Sequence, residues 1–263
     1  MILVLSALAV ASIVTVSGDL DQARQQQTIQ KMKEIRDAIY GSDVGRAVRS
    51  QFGYVGDLGA APNLAPPMPF SGLWTQPATA QAWTVSTSPA VRIGSGWNGP
   101  YLKSFFSNGD DTYSKDAWGR DFEYLAPTQA ADGYLRSKGA DGQPSGTGSA
   151  ADITMNLPSS QAYATVFVVV QNSGVACDTH ASATLWFPDG NGILVNTTVS
   201  ITMGANGLFQ FPAKVPFGKR SIEFTFTTPD PDLTSGPYEI TIDRPNTLIV
   251  LGTAAKPIVV SCP

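Results

Sequence analysis

Asp141 and Asp152 are the acidic residues of this chain whose setting invites metal chemistry. They stand in residues 139–152, a segment dominated by glycine, serine and alanine. Calcium takes about six to eight oxygen ligands, many of them backbone carbonyls, and a flexible loop of small residues can supply them. The alternative reading is a plain solvated turn. Thiol and imidazole chemistry has far less to work with. The chain has two cysteines, Cys177 and Cys262, a single histidine, His180, and no Cys-x-x-Cys, which excludes a zinc site of the ordinary type. The two cysteines are open to two readings: one disulfide, which requires an oxidising compartment, or two buried thiols.

Catalytic signatures are missing. No Gly-x-Ser-x-Gly, P-loop or dinucleotide fingerprint occurs, and each of those chemistries needs its own loop geometry. His180 has Asp178 and Thr179 close by, but no serine or cysteine motif for it to serve. The expectation is a protein that is not an enzyme. Asp110 and Asp111, after Asn108-Gly109, read as a hairpin tip. Asn196-Thr197-Thr198 matches a glycosylation sequon, a pattern common by chance. The net charge of −4 argues against nucleic acid, because phosphate binding needs a basic face. The densest basic group, within residues 31–36, alternates with Glu34 and Asp37 and reads as a solvated helix face.

These residues must be positioned by a chain of 263 residues, long enough for two domains. Its 25 glycines and 19 prolines point to many turns and short strands. Residues 1–18 carry no charge and are apolar almost throughout. A spanning helix needs about 20 such residues, and a cleaved secretory signal would start with Lys or Arg. Residues 19–40 contain no glycine or proline. Leu20, Ala23, Ile29, Met32, Ile35 and Ile39 recur mostly at three- and four-residue steps, one apolar stripe on a helix. The prediction is one long helix over residues 1–40, lipid-like and then amphipathic. Its stripe is expected to face other subunits, so that an acid at Ile35 or Ile39 would stop assembly and spare the fold.

Residues 41–95 are rich in Gly, Pro, Ala and Ser and read as a loop wrapping the helix, with short helical turns in it. An ordered set of signals follows. Gly96-Trp97-Asn98-Gly99-Pro100-Tyr101-Leu102 is succeeded by Asp116-Ala117-Trp118-Gly119-Arg120, then Phe122-Glu123-Tyr124, then Ser137-Lys138-Gly139-Ala140-Asp141-Gly142, and finally Ala151-Asp152-Ile153. Gly99-Pro100 is a turn, since proline lacks the N–H donor, and Phe122 to Leu125 reads as a short strand. The order and spacing resemble the globular domain of type IV pilin-like proteins, especially the major pseudopilin of type II secretion. The resemblance covers residues 1–153. It implies a filament subunit that self-associates through its N-terminal helix, anchored in the inner membrane before assembly by a pilus or type II secretion machinery. It also implies calcium on the loop, with Asp141 and Asp152 as side-chain ligands and the carbonyls of Lys138 and Ser145 beside them. Two departures matter. Ala150 and Ala151 stand where the family has another acid, and no acid precedes Asp19 where the family has a glutamate. Either the chain start is placed too late, or the subunit lacks that residue.

From Ala162 the texture changes to strand-like runs such as Val166 to Val170, Ser221 to Phe226 and Tyr238 to Ile242, separated by turns such as Pro188-Asp189-Gly190-Asn191-Gly192. Seven or eight short strands in about a hundred residues suggest an immunoglobulin-like sandwich. The expected fold class is therefore α+β: a long N-terminal helix at 1–40, a small antiparallel sheet within a globular domain at 41–157, and a β-sandwich at 158–263. Three functions fit that plan. The first is a subunit of an extracellular type IV pilus-like filament at the bacterial surface, with the sandwich displayed outward. The second is a type II secretion pseudopilin. The third is a membrane-anchored protein whose sandwich binds a glycan or partner.

Overall fold

The computed structural model describes residues 2–42, 52–63, 70–86, 91–102, 111–172, 175–176, 181–201, 208–226 and 233–251, with side chains in the first helix from Asp19 onward. Cys177, His180, Cys262, Asp110 and the strand-like run at Ile258 to Val260 lie outside the described residues, and so does the disulfide expectation.

Helix α1 runs Ile2–Tyr40. Gln30 donates to Glu34 one turn on, at 3.0 Å, an ordinary helix-surface pair. The helix stops where Gly41, at φ 95°, donates its N–H to Asp37 O, a left-handed cap that suits a residue without Cβ. Thr28, Met32, Ile35 and Ile39 are fully buried, whereas Leu20 is 54 % exposed and Ala23 is exposed too. The apolar stripe is thus divided. Its C-terminal half packs against the chain's own Leu58, Leu73, Phe122, Leu135 and Leu157, so the expectation that Ile35 and Ile39 face other subunits is corrected. An acid at either position would bury an unpaired charge within the subunit itself.

Against α1 lies a three-stranded antiparallel sheet in the order β3-β4-β5: β3 Glu123–Leu125, β4 Gly133–Ser137 and β5 Ile153–Leu157. Leu135 and Leu157 are its fully buried apolar members, packed in the same core as the helix. Between helix and sheet come α2 (Gly53–Leu58), a 3-10 turn at Ser71–Leu73, the strand pair β1 (Thr84–Val85) and β2 (Gly94–Ser95), and α3 (Asp111–Ser114). Asp111 therefore opens a short helix, where the sequence suggested a hairpin tip: among the described residues no strand flanks it on either side. Aromatics pin the wrapping segment. Trp97 Nε1 donates to Gly72 O at 2.7 Å and the Tyr124 hydroxyl to Pro62 O at 2.8 Å.

The remaining strands form two sheets. One centres on β6 (Tyr163–Asn172), which pairs antiparallel with β7 (Val175–Ala176), β10 (Leu208–Gln210) and β11 (Val215–Pro216), and parallel with β14 (Asn246–Leu251). The other is four-stranded and antiparallel, in the order β13-β12-β8-β9, with β8 Ala181–Pro188, β9 Leu194–Ile201, β12 Gly218–Phe226 and β13 Leu233–Ile242. Val166 and Val168 from the first sheet and Leu185, Ile222, Phe224 and Ile240 from the second share one buried core. Alternate residues of β6 and β12 supply it, as the period of two requires.

A buried cation joins this two-sheet unit to the wrapping segment. Arg220, at the start of β12, is 1 % exposed. Its guanidinium donates to Pro216 O at 3.0 Å, Lys219 O at 2.9 Å, Gly56 O at 3.1 Å and also to Phe217 O. Gly56 belongs to α2, so that one bond spans the junction. The turn after β8 grips the end of the same helix, with Gly190 and Gly192 N–H both donating to Leu58 O. A Cβ at Gly59 would sit 2.0 Å from Pro188 O, and this close backbone approach requires glycine there. Asp57, beside Arg220, accepts from the Tyr101 hydroxyl at 2.9 Å. Burial pushes the Asp57 carboxyl up to about 6, against the opposing pull of the bonds from Tyr101 and Asn98 and the charge of Arg220.

This carboxyl sets a pH dependence. Its folded-state value lies above the ordinary 3.8, so between those values the folded chain holds the proton more tightly than the unfolded chain, and stability falls as pH rises through that window. The loss amounts to roughly 3 kcal/mol at most. Urea melts at pH 4 and pH 7 should show the native chain losing more stability than Asp57→Asn over that interval; parallel changes would refute the assignment.

Candidate functional site

The described residues with the densest convergence of motif positions are those around Asp116. The segment from Asp116 to Arg120 closes on itself: Asp116 N donates to Arg120 O at 2.8 Å and Gly119 N to Asp116 O at 3.1 Å. The Asp116 side chain is buried. Its Oδ1 accepts from Trp118 N at 2.9 Å and Arg120 N at 3.0 Å, and its Oδ2 from Ser137 Oγ at 2.6 Å. A buried carboxylate is tolerated only when donors fill its lone pairs, and these three come from the turn itself and from the end of β4.

Contacts leave this turn in two directions. Toward α1, Ala117 N donates to Thr28 Oγ1 at 3.1 Å, Trp118 Nε1 to Asp21 Oδ1 at 3.2 Å and Lys31 Nζ to Lys115 O at 3.0 Å. Burial lowers the Lys31 ammonium from its ordinary value, opposed by the charges of Asp116 and Glu34. Toward residues 139–152, Ser137 Oγ accepts from Gly139 N at 3.2 Å and Arg120 Nη1 donates to Gly139 O. Helix, turn, sheet and loop are thereby one hydrogen-bonded series.

The loop coils tightly. Ala140 N donates to Ser149 O at 2.8 Å. Gly139 takes φ 60°, and a Cβ on it would lie 2.7 Å from Ala151 O. Asp141 is exposed, and its Oδ1 accepts from Gln143 N at 3.0 Å, a local turn of the Asx kind. Asp152 differs: its Oδ1 is buried and has no hydrogen-bond partner. Arg120 lies against the loop on another side, with Nε 2.5 Å from where a Gly142 Cβ would be. At the loop's base, hydrogen bonds from Lys138 and Arg136 hold the Glu123 carboxyl below its usual range. Among the described residues no group of three or more His, Cys, Asp or Glu is placed to hold a metal ion. Any cation here would rely on carbonyls as much as on carboxylates.

The motif set is thus brought together in space, though not in one cluster. Asp116, Ser137, Gly139 and Arg120 are bonded directly, while Asp141 and Asp152 stand at different points of the loop they frame. Sequence reasoning missed the bracing roles of Ser137 and Arg120. Both sit inside quoted motifs, but nothing in a linear pattern tells which side chain meets Asp116 across 21 residues. It also missed Arg220, whose burial no neighbouring residue signals.

Among the described residues no helix is long and apolar enough to cross a membrane; the apolar side chains of residues 2–18 lie outside those described. No curated protein and no solved structure matches the chain. Residues 73–156 do match the family model of type II secretion system protein G, an interval that contains the Asp116 turn, β3, β4, all of β5 but its last residue, and the whole glycine-rich loop. That stretch is pseudopilin-like.

Proposed function

We propose that this chain is a non-catalytic subunit of a pseudopilin-type helical filament, polymerised through α1, with the two-sheet unit displayed outward. The observation that carries the reading is the overlap between the type II secretion match at residues 73–156 and the hydrogen-bonded series from Asp116 to α1. The matched segment is the part that holds the helix in place. On this reading the helix is anchored in the inner membrane before assembly and passes into a bundle of like helices. The partners are further copies of the chain and the secretion or pilus assembly machinery. The globular part at 41–157 forms the wall of the filament, and the immunoglobulin-like sandwich at 158–263 widens it. Whether the filament is a short secretion pseudopilus or an extracellular pilus follows from which machinery the chain meets.

The divided stripe says which residues the polymer can use. Met32, Ile35 and Ile39 are already covered within the subunit, so association falls to the exposed N-terminal portion, where Leu20 is 54 % exposed. Burial of such surface is worth about 25 cal/mol per Å². Leu20→Asp, co-expressed with the assembly machinery, should leave the chain in the membrane fraction with an unchanged melting temperature and abolish fibres in electron micrographs. Normal fibres would remove α1 from the assembly role.

Calcium on the loop is the second part of the proposal. The residues fit in part. Asp152 Oδ1 is a buried acceptor without a hydrogen-bond partner, which a cation would satisfy. Asp141 gives only Oδ1 to Gln143, which leaves Oδ2 outside that bond. Arg120 at Gly139 O supplies positive charge nearby and works against a second cation. Bound calcium would cancel the charge of Asp152 and draw carbonyls of the loop together. A ligand that binds only the folded state adds about 2.7 kcal/mol at a hundredfold excess over its dissociation constant. Chelator should lower the melting temperature, and Asp152→Asn should remove that difference. A melt indifferent to chelator would mean that the loop is held by its own hydrogen bonds and by those from Ser137 and Arg120.

A further inference from the structure

A second concave surface lies away from the motif turn, between the wrapping segment and the two-sheet unit. It is a cleft of about 570 Å³ bordered by Asp57, Trp83, Arg92, Asn98, Tyr101 and Glu239, with Arg220 and Lys219 in its wall. Ligand sites favour such concave seams between structural units. No residue of α1 lines it, so association through that helix would leave it open.

Its lining has two parts. The first is an exposed aromatic side chain. Trp83 is 39 % exposed, and its six-membered ring lies across the backbone of Gly94, so closely that a Cβ there would come within 2.2 Å of Cζ2. Glycine at 94 is what lets the indole pack this closely on β2, and a substantial part of its surface stays accessible. The second part is a set of polar groups already matched to one another. Tyr101 donates to Asp57 at 2.9 Å and accepts from Asn98 N at 3.0 Å. Lys219 pairs with Glu239 at 2.9 Å, and Arg220 donates to carbonyls.

These features select a ligand class. Lys219 pairs with Glu239, Arg220 is bonded to carbonyls and Asp57 to Tyr101, so most of the wall's charge is already engaged and a strongly charged ligand gains little from entering. A neutral molecule that can both donate and accept hydrogen bonds does gain, from Asn98, Glu239 and Arg92 at the rim. The accessible part of the Trp83 indole adds an apolar surface whose ring faces attract polarised C–H groups. A pyranose ring combines the two needs: hydroxyls around its edge and a flat face of C–H bonds. We propose that this cleft binds a neutral saccharide, with Trp83 stacked on one ring and the Asp57–Tyr101–Asn98 wall beside it.

The test uses the full chain in detergent. A glycan array is read first, followed by saturation-transfer NMR with neutral cello-, chito- and malto-oligosaccharides, an anionic hyaluronan tetrasaccharide and a tryptophan-containing peptide. The expected result is array binding and saturation transfer to at least one neutral saccharide. Trp83→Ala should weaken that binding by roughly tenfold or more, the loss usual for an aromatic anchor, at an unchanged melting temperature. Trp83→Phe, which keeps a ring, should retain much of it, and this variant stands in if the alanine variant fails to fold. Absence of any saccharide signal, binding confined to hyaluronan or to the peptide, or saccharide binding untouched by both variants would each overturn the proposal. None of these outcomes bears on filament assembly, which is read from fibres.

Discussion

The fold of the pseudopilin-like part depends on a carboxylate kept away from water. Asp116 is buried, and three donors converge on it: two backbone N–H groups of its own turn and the hydroxyl of Ser137. Hydrogen bonds to a charged acceptor are stronger than neutral ones, and a donor stripped of such a partner inside the protein costs far more than the net worth of the bond. The turn therefore cannot relax without exposing several groups together. Because its next residues, Ala117 and Trp118, bond to Thr28 and Asp21 of α1, the same constraint sets where the helix lies on the sheet. Through Ser137 and Arg120 it also sets where the loop at 139–152 begins.

A second ionic element performs a parallel task at the junction with the two-sheet unit. Arg220 brings a buried guanidinium into the seam, with carbonyls from β11, from its own strand and from α2 as acceptors. Burial pushes it down to about 9, still protonated at neutral pH, so the seam holds a fixed positive charge with Asp57 nearby. The planar fork of arginine suits several carbonyls at fixed angles, and lysine would not replace it. The two-sheet unit is thus tied to the wrapping segment by directional bonds, beside the apolar contact that Phe52 makes with its core. That polarity is also why the seam leaves a cleft with hydrogen-bonding walls.

Much of the plan was legible in sequence. Period-two runs marked most strands of the two sheets, among them β6, β8, β12 and β13, because alternate residues must face one core. Residues 96–153 carried their order in turn-forming and aromatic residues whose spacing is itself structural. The fate of the apolar stripe was not legible. Periodicity shows that Met32, Ile35 and Ile39 share a helix face, but not what covers it. That depends on Leu135 and Leu157, about a hundred residues away, whose packing is a tertiary fact. Asp111 opening a helix and Arg220 lying fully buried are of the same kind. In each, local composition permitted two outcomes and long-range contacts chose one. For the candidate site the sequence offered Asp141 and Asp152, while the structure adds that one is exposed and bonded to Gln143 and the other carries a buried oxygen without a hydrogen-bond partner.

The most direct test of this account is hydrogen exchange on Asp116→Ala, read residue by residue beside the native chain. Loss of the carboxylate should cost about 3 kcal/mol, because one buried and two part-buried donors lose their acceptor. Exchange should rise together at the amides of residues 117–120, in α1 around Thr28 and in the loop from Gly139, while β8 and β12 keep their protection. A rise confined to residues 117–120, with α1 and the loop exchanging at native rates, would contradict the claim that this one buried group holds helix, sheet and loop in register.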